Sequence, residues 1–146
     1  MKNRVLAYKG FSIDVAGDWD DITSTLEIAD VPLTVGDPVS GVGALQFSPA
    51  IYTSGPLPHI TPKTLCELLD DFISKKGLGK SFERRSYQGK VAIETASFHA
   101  ADSLIQVWYV SDGKSMMLVT YVCEWDYRDQ EVSEREKTVR SISFGT

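Results

Sequence analysis

The sequence predicts an α+β fold, a mostly antiparallel central sheet with two helices. Three observations carry this. One segment, 62–76, has a helical apolar stripe with a start and a stop signal of its own. Between 82 and 122 the chain alternates like four successive strands joined by short turns, which favours antiparallel pairing. A second helical segment, 131–140, follows those strands instead of alternating with them.

In chain order, Phe11, Ile13 and Val15 alternate with Ser12 and Asp14, the period of a half-buried strand. Ala16-Gly17-Asp18 turns the chain ahead of Trp19. Ile22, Leu26 and Ile28 share parity and predict a second strand pairing back on the first. Residues 29–43, broken by Pro32, Gly36, Pro38, Gly41 and Gly43, read as irregular. Leu45 and Phe47 mark a short strand that Pro49 ends, and a loop to residue 60 follows.

Thr61 is a suitable N-cap, because its hydroxyl can accept an orphan backbone N–H. Pro62 occupies the first helical position, where a missing N–H costs nothing. Leu65, Leu68, Leu69, Phe72 and Ile73 make one apolar stripe. Lys75 and Lys76 suit the negative end of the dipole, and Gly77 suits a left-handed stop.

Strands are then expected over 82–87, 91–98, 104–110 and 116–122. Turns fall at 87–90 and 101–102, and Asp112-Gly113 predicts a tight primed hairpin turn. Trp108 and Tyr109 point to opposite faces of their strand. Either one of them anchors a partner, or helices cover both faces of the sheet. The segment 131–140, strongly charged with Val132 and Val139 seven apart, predicts a mostly solvated helix with a narrow buried edge. Ile142 and Phe144 close the chain as a short strand.

The totals fit one domain spanning residues 1–146, with 42% apolar and 24% charged residues. A chain of this size buries about 70% of its unfolded surface and needs no staple. A formal charge of −5 argues against nucleic acid, which calls for a basic patch. The opening residues have no apolar core of a signal peptide, and no run approaches a membrane span, so the expected compartment is the cytoplasm. Cys66 and Cys123 lack C-x-x-C spacing and read as reduced, partly buried thiols.

No catalytic, metal or cofactor motif stands out. Gly77-Leu78-Gly79-Lys80 follows a helix, whereas a phosphate loop precedes one. Asp14, Asp18, Asp20 and Asp21 lack the calcium-loop pattern and suit capping and turn roles. His99, with Glu94 or Asp102 as partner, is the best case for acid–base chemistry. The expected function is therefore binding without catalysis or cofactor. The candidate partner-binding residues are Tyr52 and His59 in the loop 49–60, with Trp125 and Tyr127 after the last long strand.

One family resemblance covers nearly the whole chain. Its carriers are Phe11-Ser12-Ile13-Asp14-Val15 with Trp19, Gly43-Ala44-Leu45-Gln46-Phe47-Ser48 and the Thr61-Pro62 helix. Tyr87-Gln88-Gly89-Lys90-Val91-Ala92, the Asp112-Gly113 hairpin, Leu118-Val119-Thr120-Tyr121 and Val139-Arg140-Ser141-Ile142-Ser143-Phe144 continue it. In these the chain resembles the PsbP-like and Mog-like superfamily of α/β/α sandwiches. Many relatives carry a proline before the tryptophan, where this chain has Ala16-Gly17-Asp18. The resemblance implies work through protein partners. A bacterial immunity protein that occludes a cognate toxin is the favoured expectation. A chaperone or adaptor for a secreted effector, or a Mog-like binder of a small GTPase, is the alternative.

Overall fold

The computed structural model describes residues 4–25 and 32–145. Its centre is a seven-stranded, wholly antiparallel sheet in the order β3-β4-β5-β9-β8-β7-β6. The strands are β3 (Asp20–Asp21), β4 (Leu33–Gly36), β5 (Gly43–Ala50), β6 (Glu83–Gln88), β7 (Ala92–Ala100), β8 (Ser103–Ser111) and β9 (Met116–Glu124). A small second sheet places β2 (Phe11–Val15) between β1 (Arg4–Tyr8) and β10 (Ser143–Phe144). Helix α1 (Pro62–Lys76) packs on one face of the large sheet. Helix α2 (Val132–Arg140) and the small sheet cover the other. The chain is thus α+β with a mostly antiparallel sheet and two helices, as its sequence predicts.

Both faces of β8 are buried, which decides between the two readings of Trp108 and Tyr109. Trp108 lies in the core under β2, with Ile13, Val110 and Val119. Tyr109 meets α1, its ring edge-on to Phe72 at 6.4 Å. Neither is left to anchor a partner.

Helix α1 follows its sequence closely. The Thr61 hydroxyl accepts from Thr64 N at 3.2 Å, and the Thr64 hydroxyl accepts from Thr61 N at 3.1 Å. Gly77, at φ +62°, closes the helix. Leu65 and Leu69 are fully buried against Ala96, Phe98 and Val107 of the sheet.

Four expectations change. Leu26 and Ile28 lie outside the described residues. Ile22 falls between β3 and a 3-10 turn (Thr23–Thr25), and its N–H bonds Thr34 O at 2.8 Å. This part of the chain joins the edge of the large sheet, while β2 pairs with β1 and β10. The stretch 29–43 contains strand β4, whose Val35 is fully buried; only long-range pairing with β5 reveals it.

The Asp112-Gly113 hairpin is wider than a two-residue turn, since Ser111 pairs with Met116. Asp112 Oδ1 closes the longer loop by accepting from Lys114 N (3.0 Å) and Ser115 N (2.9 Å). The two-residue turn lies instead at Ala101-Asp102, with Ala101 at φ +53°. Finally, α2 is not a mostly solvated helix. Arg135, Glu136, Thr138 and Val139 are buried, and Val132 is 38% exposed. Its charged side chains meet polar ones on the sheet. No helix among the described residues is long and apolar enough to cross a membrane.

Candidate functional site

Strand β9 ends at Glu124, and the chain turns at once through a 3-10 turn, Trp125–Tyr127. Trp125 N bonds Asp102 O at 2.7 Å, tying this turn to the β7–β8 connection. That places the indole against His99 near the end of β7, with the rings stacked at 3.6 Å and 6° apart. The Arg128 guanidinium lies 4.3 Å from the same indole, and its Nη1 donates to Trp125 O at 2.9 Å. Two planar groups that close cannot share a face, so His99 and Arg128 sandwich the indole. Phe82 meets its edge at 5.6 Å.

The result is a ledge of aromatic and cationic groups. Phe82 is 57% exposed and Tyr127 41%. Exposed carboxylates of Asp102, Glu124 and Asp126 border it. Large planar side chains held rigid yet open to solvent are the usual anchors of protein interfaces, because they contribute contact area at little entropic cost.

Beside the ledge is a polar cleft of about 230 Å³ between α2, β6 and β8. At its floor is Gln106. Its Oε1 accepts from Arg135 Nε at 2.9 Å, and its Nε2 donates to Glu136 Oε1 at 2.8 Å and Thr95 Oγ1 at 3.2 Å. Arg85 Nη2 reaches Glu136 Oε1 at 3.0 Å and Glu83 Oε1 at 3.2 Å. Arg135 Nη2 donates to Arg128 O at 3.0 Å, and its guanidinium lies 4.5 Å from the Tyr121 ring.

Glu131, at the start of α2, extends this network. Its Oε1 accepts from Tyr121 Oη at 2.6 Å and from Gly43 N at 3.2 Å. Burial first, and then the Glu131 carboxylate, push the Tyr121 hydroxyl far above its ordinary pKa, so it stays a donor. Gly43 permits the arrangement: a Cβ there would stand 2.6 Å from the Tyr121 ring.

Of the four residues read as partner-binding, the structure places Trp125 on the ledge and Tyr127 exposed in the same 3-10 turn. Tyr52 and His59 lie at the other end of the sheet. Their loop is pinned to the β8–β9 connection, with Tyr52 N on Ser115 Oγ (2.9 Å) and Ile60 N on Gly113 O (2.9 Å). Tyr52 lines an open groove of about 470 Å³ with Lys9, Ile51, Lys114 and Phe144. The four are therefore split between the two ends of the sheet. Glu94, offered as a partner for His99, points to the opposite face of β7 by parity. His99 makes its ring contact with Trp125 instead.

Sequence reading did not single out Gln106, Arg135, Glu136, Phe82 or Arg128. A signal existed for the first three. Gln106 is the one amide in a strand whose other inward residues are Leu104, Trp108 and Val110, and Arg135-Glu136 lies midway along a helix that must pack somewhere.

No family model and no curated protein matches this sequence. Solved structures do. A protein of Bacteroides thetaiotaomicron is 12% identical, with a TM-score of 0.63 over 99% of this chain. This chain spans about half of that one, 48%. Cyanobacterial PsbP (CyanoP) of Synechocystis is 9% identical with a TM-score of 0.61, covering 99% of this chain and 92% of its own. The Ran-binding protein Mog1p of Saccharomyces cerevisiae is 10% identical with a TM-score of 0.60, covering 99% and 96%. At such identities the likeness is one of fold. The chain has the PsbP/Mog-like fold that its sequence resembles.

Proposed function

We propose that this PsbP/Mog-like chain is a non-catalytic protein-binding domain that docks its partner on the Trp125 ledge. The observation that carries this reading is the sandwich of Trp125 between His99 and Arg128, with exposed Phe82 at its edge and exposed Tyr127 in the same turn. A rigid indole with a charged rim has the composition of an interface hot spot. Within this reading, the favoured role is that of a bacterial immunity protein acting in the cytoplasm, which occludes a cognate toxin. The chain's net charge of −5 suits a basic toxin surface.

An effector chaperone or adaptor is the second reading, and the groove beside Tyr52 favours it, since Ile51, Tyr52 and Phe144 supply apolar wall. Mog1p is described as Ran-binding, and a small GTPase is the corresponding Mog-like partner.

The test is affinity capture from the native cell with wild type, Trp125→Ala and Tyr52→Ala in parallel. The expected result is a protein partner retained by wild type and Tyr52→Ala and weakened at least tenfold by Trp125→Ala, a loss of about 1.4 kcal/mol or more. An immunity role further requires that the partner be toxic alone and harmless when co-expressed with the wild type. Equal capture by wild type and Trp125→Ala would remove the ledge from the interface. Loss with Tyr52→Ala only would move it to the groove.

A further inference from the structure

We propose that the cleft beside the ledge is a carboxylate receptor. It takes one acidic side chain of the docked protein partner, gripped by Arg135 with Arg128 at its side. The inference deepens the docking reading above and rests on it for the source of the carboxylate.

The charges in the cleft are unevenly matched. Arg135 is only 5% exposed, yet no carboxylate among the described residues lies within ion-pair distance of it. Its Nε is taken by Gln106 and its Nη2 by Arg128 O, while Nη1 is buried with no hydrogen-bond partner among the described residues. A buried guanidinium left with an unmet donor is a costly arrangement, and the cost falls when an anion arrives. Arg128 likewise forms no ion pair among the described residues: it stacks on Trp125 and bonds a backbone carbonyl.

Two acids of the cleft, Glu83 on β6 and Glu136 on α2 next to Arg135, already pair with other cations. Glu83 pairs with Arg85 at 3.2 Å. Glu136 serves Arg85 at 3.0 Å and Gln106 at 2.8 Å, with Arg140 at 3.9 Å. Asp129, the remaining acid of the lining, is exposed. Arg128, in the turn before α2, and Arg135, on α2, are thus short of an anion, while Glu83 and Glu136 each pair with Arg85, Glu136 keeping one oxygen, Oε2, without a hydrogen bond.

A carboxylate is the complement in shape as well as charge. With Nε and Nη2 of Arg135 already donating, a carboxylate oxygen would take the unmet Nη1 in one charge-assisted bond. The cleft, about 230 Å³, has room for a short acidic side chain. Phe82 and Val132, both exposed, stand at its rim. Covered by a partner, they would exclude water from the new pair and so strengthen it. The cleft also adjoins Trp125 through Arg128 and Phe82, so one partner segment reaches both.

The test uses the whole chain and two small probes, N-acetyl-glutamate N-methylamide and its neutral glutamine counterpart, at constant ionic strength. Side-chain N–H signals of Arg135, Arg128 and Trp125 are followed by NMR. The expected result is a saturable shift with the glutamate probe in the millimolar range, at least tenfold weaker with the glutamine probe. Arg135→Gln should abolish it. Because Arg135 also supports the fold, Val132→Glu provides a second variant: it changes an exposed rim residue, preserves the circular dichroism spectrum, and should block the response with a competing carboxylate.

Equal responses to both probes, a shift that never saturates, or an undiminished response in Val132→Glu would overturn the proposal. Tenfold tighter binding of inorganic phosphate would also overturn it in favour of a phosphate site. If the glutamate probe fails while Trp125→Ala still loses a partner, the cleft inference falls and the docking reading stands. If the probe binds but no partner depends on Trp125, the docking reading falls, and with it the partner as source of the carboxylate.

Discussion

Gln106 holds three elements together with one amide. Its carbonyl oxygen receives Arg135 of α2, and its nitrogen reaches Glu136 of α2 and Thr95 of β7. Each of those groups is buried, so each would be stranded without it. Gln106→Ala should therefore destabilise by about 2–4 kcal/mol, more than the lost contacts alone, because a buried donor or acceptor left unmet costs its full desolvation. Urea unfolding measures this, and a change within about 0.5 kcal/mol, typical of surface sites, would show that the network contributes nothing. The same residue marks where a sequence stops being informative. Strand 104–110 is legible from its alternation, but the reason for an amide in it is Arg135, 29 positions away. A residue whose partner is that distant carries no local pattern. Trp125 and Tyr127 could be proposed as anchors because tryptophan and tyrosine are favoured at protein interfaces. Arg128 and Phe82, which complete the ledge, are ordinary types that become notable only by position.

At the scale of elements, the contrast between α1 and the short strands is instructive. Helix α1 carries its cap, its stripe and its stop within one stretch of chain, so local physics specifies it. Leu69 is fully buried under it, between helix and sheet. Leu69→Ala should cost about 2–5 kcal/mol, the range for deleting a buried leucine side chain. Thermal or urea unfolding showing a near-neutral effect would contradict the packing of that face. Strands β1 and β4, by contrast, are short, and β4 is flanked by Pro32 and by Gly36 at its end. Their partners supply most of what keeps them extended, so propensity alone passes over them. Helix α2 was visible as a helix but not in its burial. Its inward side is charged, and burial of charge follows from what it meets on the sheet, Gln106 above all.

At the scale of the molecule, the large sheet is assembled mainly from neighbours in sequence: β6 with β7, β7 with β8, and β8 with β9. The small sheet is not. Strand β2 pairs with β10 from the far end of the chain, and Asp14 N bonds Ser141 Oγ across 127 residues. Phe11, Ile13 and Val15 of β2 share one core with Val139 and Ile142. A ribosome delivers Asp14 and Ser141, which bond one another, 127 residues apart. The hairpins of the large sheet can close as they emerge, but β2 must wait for Val139, Ile142 and β10 before its last cover arrives. Until those residues emerge, Phe11, Ile13 and Val15 are incompletely shielded, an exposure of the kind that holding chaperones relieve.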